Sequence, residues 1–360
     1  MKKIVFYIDN MRRNGSQRVI WTLLNNFSNR TDVNVVLIND YDLSLTEAVF
    51  KEPALIKKYV LLQKKSNVLV SNIYRVLLIR RILKNERPDV VLSFKGRSNY
   101  RMIIASVLLH LRLIVSVRNI PEFEYGKSFV KRLIANLLFL MTDGCVFQND
   151  SQRCYFGKLI NLKSTVIANP LSKRFYNNST NGVKKYGIIC TGRLEKQKNY
   201  PMIIKAFALI QNKVDDDLYI YGKGKEVDYL KALCLNEGVN TRVHFLNPVD
   251  DIEIELKKSK VYILTSYYEG MPNSLMEAMA CGTACIATDS QGGGVRVLLD
   301  NDPDMIIGVD DYIGLSEKLY KILTDDQFRM KIERKVKHLA NPYKEDIICQ
   351  KWYEFLFVND

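Results

Sequence analysis

Histidine is scarce in this sequence: three residues in 360, His110, His244 and His338. All three are read as structural, and no histidine base is expected. Cysteine offers little chemistry either. The seven cysteines stand at 145, 154, 190, 234, 281, 285 and 349. They are odd in number and form no CxxC pair or Cys/His cluster, which argues against a disulfide frame or zinc site and for a reducing cytoplasm. Long apolar runs are also missing. The longest, Met102 to Val117, is broken by His110 and Arg112 and is too interrupted for a membrane span. The opening MKKIVFYID is cut short by Asp9 and the following Asn10-Met11-Arg12-Arg13, so it reads as a first strand and not as a signal peptide. There is no repeat of solenoid period and no low-complexity tract.

Acid is sparse in one half of the chain. Residues 1–170 hold 27 of the 53 Lys+Arg but only 12 of the 39 Asp+Glu, so the whole net charge of +14 sits there. Such a surplus favours nucleic acid, an anionic membrane surface or an anionic substrate. Nucleic acid is not expected as a partner, because no aromatic-interleaved basic motif, helix–turn–helix or zinc finger is present.

What is there is an alternation of short apolar runs with helical patterns, twice over. In the first half, strands are expected at Ile4–Ile8, Val33–Ile38, Val90–Phe94, Leu113–Val117 and Gly144–Phe147. Helices are expected at Val19–Phe27, Ser71–Asn85, Met102–Leu109 and Lys131–Leu140. The second half repeats this grammar from Tyr186 to Thr288, and Lys344–Val358 reads as a final helix. This is the pattern of α/β chains with parallel sheets. The Asn/Ser/Thr-rich stretch from Ala168 to Gly182 is the best linker. Length and pattern together predict two doubly wound domains, 1–168 and 169–343, with residues 344–360 joining the first. Ligands of such sheets bind beyond the carboxyl ends of the strands.

One loop stands out by that criterion. Ser266-Tyr267-Tyr268-Glu269-Gly270-Met271-Pro272-Asn273-Ser274-Leu275-Met276-Glu277 follows a strand, turns, and opens a helix with Asn273 or Ser274 as N-cap. Backbone N–H groups and the helix dipole there suit a pyrophosphate. Glu269 and Glu277 flank that point, and Gly282 closes the helix. A second loop, Thr191-Gly192-Arg193-Leu194-Glu195-Lys196-Gln197-Lys198-Asn199, combines a glycine turn with two cations. Arg193 offers a fork and Lys198 a point charge to phosphate. A third, Tyr221-Gly222-Lys223-Gly224, is a weak signal alone.

The segment from Glu269 onward resembles glycosyltransferase family 4, whose pattern reads E-G-F-P-N-x-x-x-E-A-M-A-x-G-x-P-V-I-A. Met271 and Ala284 are apolar departures from it. The family's paired glutamates fall on Glu269 and Glu277. Its G-R-L-x-x-x-K-N falls on Gly192, Arg193 and Lys198, and its G-x-G on Gly222 and Gly224. Leu246-Asn247-Pro248 matches the strand end near the nucleotide base, with Asn247 where glycine is usual. Asn14-Gly15-Ser16-Gln17-Arg18-Val19 matches the family's G-G-A-E-R-V at Gly15, Arg18 and Val19. Ser116-Val117-Arg118-Asn119 resembles S-E-R-N, and no histidine accompanies it.

The resemblance implies a GT-B fold of two Rossmann-like domains with a cleft, the second binding the nucleotide-sugar donor and the first the acceptor. It implies that Arg193 and Lys198 hold the donor diphosphate, and that Gly270, Met271, Pro272, Asn273, Ser274 and Leu275 contribute to the donor site. Asn14, Gly15, Arg118 and Asn119 are first-domain candidates. The reaction is expected to retain anomeric configuration by front-side attack, with the departing phosphate as base, and to need no metal or other cofactor. UDP is the leading nucleotide and GDP the second. Asp215-Asp216-Asp217 and Asp300, Asp302 and Asp304 are read as solvated turns. The acceptor implied is an oligosaccharide on polyprenyl diphosphate, as in O-antigen or capsule synthesis, at the inner face of the membrane. Arg75, Arg80, Arg81, Lys84 and Arg87, with Val76, Leu77 and Ile79, make Ser71–Asn85 a candidate interfacial helix. Other readings are a nucleotide-sugar epimerase of the same fold, a basic nucleic-acid-binding protein and an inactive partner subunit.

Overall fold

The computed structural model describes residues 1–11, 15–41, 56–61, 68–177 and 186–358. Asn14 and the linker residues 178–182 lie outside them. Two compact units are present, Met1–Pro170 with Glu345–Asp360, and Leu171–Lys344.

The first unit is built on strands Lys2–Ile8 (β1), Val33–Asn39 (β2), Lys57–Val60 (β3), Val90–Phe94 (β4), Arg112–Ser116 (β5), Gly144–Phe147 (β6) and Ser164–Val166 (β7). All pair in parallel, in the order β3-β2-β1-β4-β5-β6-β7. Parallel strands are covered on both faces, which is why the central ones are nearly unbroken apolar runs. From Ile4 to Ile8 every β1 side chain is buried. Its helices are Gly15–Ser28 (α1), Val68–Glu86 (α2), Gly96–Ser106 (α3), Pro121–Tyr125 (α4), Phe129–Leu140 (α5) and Lys158–Leu162 (α6). Ile79 and Leu83 of α2, Met102 and Ile103 of α3, Phe139 of α5 and Ile160 of α6 share one core cluster with Val5, Val36, Val91 and Val115 of the strands.

In the second unit the strands are Ile188–Thr191 (β8), Leu218–Tyr221 (β9), Val243–Leu246 (β10), Val261–Leu264 (β11), Ala284–Thr288 (β12) and Ile306–Ile307 (β13). Their order, β10-β9-β8-β11-β12-β13, repeats that of the first unit. Helices Tyr200–Ala208 (α7), Val227–Asn236 (α8), Ile252–Lys258 (α9), Asn273–Ala280 (α10), Gly294–Leu298 (α11), Tyr312–Thr324 (α12) and Asp326–Ala340 (α13) connect and follow them. The last helix, Glu345–Phe357 (α14), belongs to the first unit. Its Trp352 is fully buried, with the Phe94 ring centroid 5.9 Å away.

Several expectations need correction. The helix expected at Met102–Leu109 is Gly96–Ser106, because Leu108 takes a left-handed φ of 59° and the Arg80 guanidinium donates to the Ala105 and Val107 carbonyls. Arg75, expected on a wet basic face, is buried. Its guanidinium lies 3.7 Å from the buried Asp40 carboxylate and bonds the Tyr41 hydroxyl at 2.5 Å. Ile79 is core; the exposed apolar residues of α2 are Val68, Leu69, Val70, Ile73, Tyr74 and Leu77. Asp216 is no solvated turn. It is buried, accepts from the Gly187 N–H and pairs with Lys260 at 2.7 Å, while Asp217 bonds Arg242 and His244 and Asp302 pairs with Lys335. Of the histidines, His244 is held by that bond and stacks on Tyr219; His110 and His338 are exposed.

Candidate active site

In both sheets the chain reverses its winding between the first and fourth strands, and ligands of doubly wound sheets bind beside that switch. In the second unit the switch lies between β8 and β11, which are hydrogen-bonded neighbours. The loops leaving those two strands carry Gly192–Lys198 and Thr265–Pro272.

Gly192 has a φ of 152°, and a Cβ there would lie 3.3 Å from Lys198 Cε and 3.1 Å from the Tyr200 hydroxyl. Its missing side chain lets the Lys198 stem cross the turn. Gly222 and Gly224 make a closer approach: a Cβ on them would come 2.0 Å from the Gly192 carbonyl oxygen and 2.1 Å from that of Leu194. Hydrogen bonds from Gly192 N–H to Tyr221 C=O and from Leu194 N–H to Lys223 C=O close this contact at 3.0 and 2.9 Å. The Gly-x-Gly therefore braces the cationic loop.

The two switch-point loops are stitched together. Thr265 Oγ1 donates to the Lys198 and Asn199 carbonyls, Tyr267 N–H to Gln197 C=O, and Gln197 Nε2 to Tyr268 C=O, all between 2.9 and 3.0 Å. At the centre, Lys198 Nζ lies 2.6 Å from Glu269 Oε1, and Ser266 Oγ donates to the same oxygen at 2.8 Å. Both charged side chains are largely sheltered, at 14% and 12% exposure. Arg193 points elsewhere. It is 58% exposed, pairs with Glu195 at 2.8 Å and donates to Gln197 at 3.2 Å.

Helix α10 starts one residue earlier than its side chains suggest. Pro272 occupies the N-cap, and no side chain caps the first turn. Ser274 accepts from the Tyr262 hydroxyl at 2.8 Å, and Leu275 is wholly core, so neither side chain is spent on the cap. Asn273 is partly exposed, while Met271 and Glu277 are buried. Gly282 ends the helix with a φ of 70°. Asn247, just past β10, is exposed.

Sequence reasoning missed the other side of the turn. Gly292, Gly293 and Gly294 follow β12, and a Cβ on Gly294 would lie 2.1 Å from the Gly270 carbonyl oxygen and 3.0 Å from Met271 Cα. Glu269 N–H donates to Gln291 C=O at 2.9 Å. The start of α11 thus backs the Gly270-Met271 turn, and a run of three glycines after a strand was the available signal. Asn199, the last residue of the G-R-L-x-x-x-K-N match, is given no role by the sequence alone. It is left-handed, with a φ of 47°, and bonds Asp310 at 2.8 Å. A cavity of about 440 Å³ against the cationic loop, lined by Glu195, Asn199, Tyr200, Glu226, Tyr229 and Tyr267 among others, contains none of the predicted donor residues.

In the first unit, Gly15 opens α1. Arg118 is not a surface group. It is 8% exposed, bonds Ser116 Oγ at 2.7 Å and Asn169 Oδ1 at 3.2 Å, and lies 5.0 Å from the Trp352 ring centroid. Burial pushes its pKa down to about 9. Asn119 braces a turn, its side chain accepting from Ile120 N–H and its carbonyl from Gln152.

Residues 173–339, nearly all of the second unit, match the family described as glycosyl transferases, group 1. The second unit belongs to the group 1 glycosyl transferases. Over its whole length the chain is 24% identical to an undecaprenol-linked-oligosaccharide alpha-1,4-N-acetyl-D-galactosaminyltransferase of Campylobacter jejuni, covering 99% of this chain and 98% of that one. It is 22% identical to the amylovoran biosynthesis glycosyltransferase AmsD of Erwinia amylovora, over 99% and 100%. Anabaena HepE, solved in complex with UDP and glucose, superposes with a TM-score of 0.80 at 18% identity over 99% and 100%. The chain is a glycosyltransferase of GT-B fold. Within this group 1 glycosyl transferase unit, the Lys198 and Glu269 loops stand at the sheet's switch point.

Proposed function

We propose that this glycosyltransferase moves a hexose or N-acetylhexosamine from a nucleotide sugar onto an oligosaccharide carried on polyprenyl diphosphate, during bacterial surface polysaccharide synthesis. The observation that carries the donor reading is the Lys198–Glu269 pair beside the uncapped start of α10. A nucleotide diphosphate fits there because helix-start N–H groups and a sheltered ammonium complement its charge. UDP is the first candidate, in keeping with the UDP held by the fold relative. The lipid-linked acceptor is supported by relatives named for undecaprenol-linked substrates.

Within this reading Lys198 and Arg193 stabilise the charge that develops on the leaving diphosphate, the main electrostatic contribution to such a transfer. Arg193 reaches it by leaving Glu195. Glu269 receives the sugar, and its present contact with Lys198 fixes both groups before the donor arrives. Glu277 bonds the ribose. Transfer retains configuration by front-side attack, as family 4 implies, without a metal ion. The chain works in the cytoplasm at the inner membrane face; among the described residues no helix is long and apolar enough to cross a membrane. Incubation with a panel of UDP- and GDP-sugars and a polyprenyl-diphosphate-linked oligosaccharide tests this. The expected product is an acceptor one sugar longer with an unchanged anomeric configuration. Release of free sugar alone, or an inverted linkage, contradicts the proposal.

A further inference from the structure

Helix α5 is built inside out. Its sequence is FVKRLIANLLFL, and only Ala135 and Phe139 are buried. At 3.6 residues per turn, Phe129, Val130, Leu133, Ile134, Leu137, Leu140 and the next residue, Met141, cover an arc of roughly 140° centred opposite those two. All seven are exposed, Phe129 at 78% and Leu137 at 56%. A surface helix normally turns polar residues outward; here Lys131, Arg132 and Asn136 stand at the flanks between core side and outer arc. Helix α6 extends the patch with Leu159 and Leu162, and its leading Gly157 N–H is tied to Asn136 Oδ1 at 2.6 Å. Contiguous apolar surface of this kind marks a partner.

We propose that the outer arc of α5, with Leu159 and Leu162 of α6, docks on an anionic lipid bilayer. Neither helix contains an acidic residue, and exposed Lys127, Lys131 and Lys158 border the patch. That pairing of an apolar face with a cationic rim fits acyl chains below and anionic headgroups around. Twelve residues make a helix of about 18 Å, too short to span and suited to lie flat in the interface. Arg132 and Lys163 are not part of the rim: the first bonds the Tyr155 and Cys154 carbonyls, the second the Leu140 carbonyl at the end of α5. Helix α2 also exposes apolar side chains, from Val68 to Leu77, but there Arg75 and Arg80 are committed to internal bonds and do not form a cationic rim. The proposal deepens the membrane contact of the function proposed above and rests on that reading for its biological setting.

The test is co-sedimentation of the full chain with phosphatidylcholine vesicles and with an equal mixture of phosphatidylcholine and phosphatidylglycerol. Wild-type protein should partition to the mixed vesicles at least tenfold better than to the neutral ones. Leu133→Asp/Leu137→Asp should lower that partitioning tenfold or more while melting normally, since both positions are exposed. Arg81→Gln/Lys84→Gln on α2 should lower it less. Equal vesicle binding by wild type and the α5 variant overturns the proposal. So does a wild-type dimer that the α5 variant converts to monomer without vesicle binding, which would make the patch a contact between copies. Transfer to a water-soluble, short-chain acceptor should be unaffected by the α5 variant, so a failed docking proposal and a failed transferase reading give different results.

Discussion

Lys198 and Glu269 sit 71 residues apart in sequence and meet at 2.6 Å where the two switch-point loops of the second sheet cross. The pair is sheltered and reinforced by Ser266 on the same oxygen. Opposite charges held this way are preorganised for a ligand carrying both an anion and hydroxyl groups.

Replacing Glu269 with Ala should lower kcat by roughly 10²–10³-fold, the loss typical of one well-placed polar group. The same change strands a sheltered ammonium, so the variant should also lose about 1–3 kcal/mol of stability. The double variant Glu269→Ala/Lys198→Ala should recover part of that stability but none of the activity. Steady-state kinetics with the cognate donor and thermal melts of wild type and the two variants check it. Near-normal turnover in Glu269→Ala would remove this residue from the site.

Arg193 should behave differently. It is mostly exposed and, among the described residues, bonds Glu195 and Gln197. Exposed pairs of this kind contribute about 0–1 kcal/mol, so Arg193→Ala should leave the melting temperature within a degree or two. Donor KM should rise about tenfold. A variant that melts early without a donor defect would show the arginine to be a loop brace.

Gly294→Ala tests the missed side of the turn. Its Cβ would meet the Gly270 carbonyl at 2.1 Å, which backbone cannot accommodate without moving. A cost of about 2–4 kcal/mol is expected, together with weaker UDP binding because the Gly270-Met271 turn must shift. Calorimetric melts and UDP titration read both effects. Gly238→Ala, where a Cβ meets nothing within 4 Å but φ is 68°, should cost less and leave UDP binding intact.

Glu124 sets a pH dependence in the first unit. Burial pushes its carboxyl from 4.5 up to about 7, with nearby Lys95 opposing the rise. An acid with a raised folded pKa binds more protons folded than unfolded, so its contribution is present below about 4.5 and lost as pH climbs through about 7. Stability should therefore fall by up to about 3 kcal/mol between pH 4.5 and pH 8 on this account. Glu124→Gln should remove that slope. Denaturant melts at pH 5 and pH 8 measure it; the same slope in the variant would assign it to another group.

The segments of the candidate site were legible because they lie in one continuous stretch each, in loops that follow parallel strands. The switch-point contact between them was not, since strand order is a long-range property. Residue type misled where a local rule lost to packing. Asn273 and Ser274 are good caps by type, yet Pro272 takes the cap and the Ser274 hydroxyl accepts from Tyr262 instead. Arg75 looked like a surface cation, but the buried Asp40 draws it inward. Arg118 reads as a loop residue and is instead wedged against Trp352, a partner 234 positions away. Helices α12 and α13 were overlooked because their charged faces hide the apolar rows Leu315, Leu319, Ile322 and Ile332, Val336. The outward apolar arc of α5 was hidden in an equally simple way: its composition is that of a core helix, and only coordinates show which side faces out.

The most direct test is equilibrium binding of UDP and of uridine to wild type and to Arg193→Met/Lys198→Met. If the diphosphate is held at the start of α10 by these cations, UDP should bind wild type about 100-fold tighter than uridine, a gap near 2.7 kcal/mol, and the double variant should close most of it. An undiminished gap in the double variant would place the diphosphate elsewhere and contradict the account.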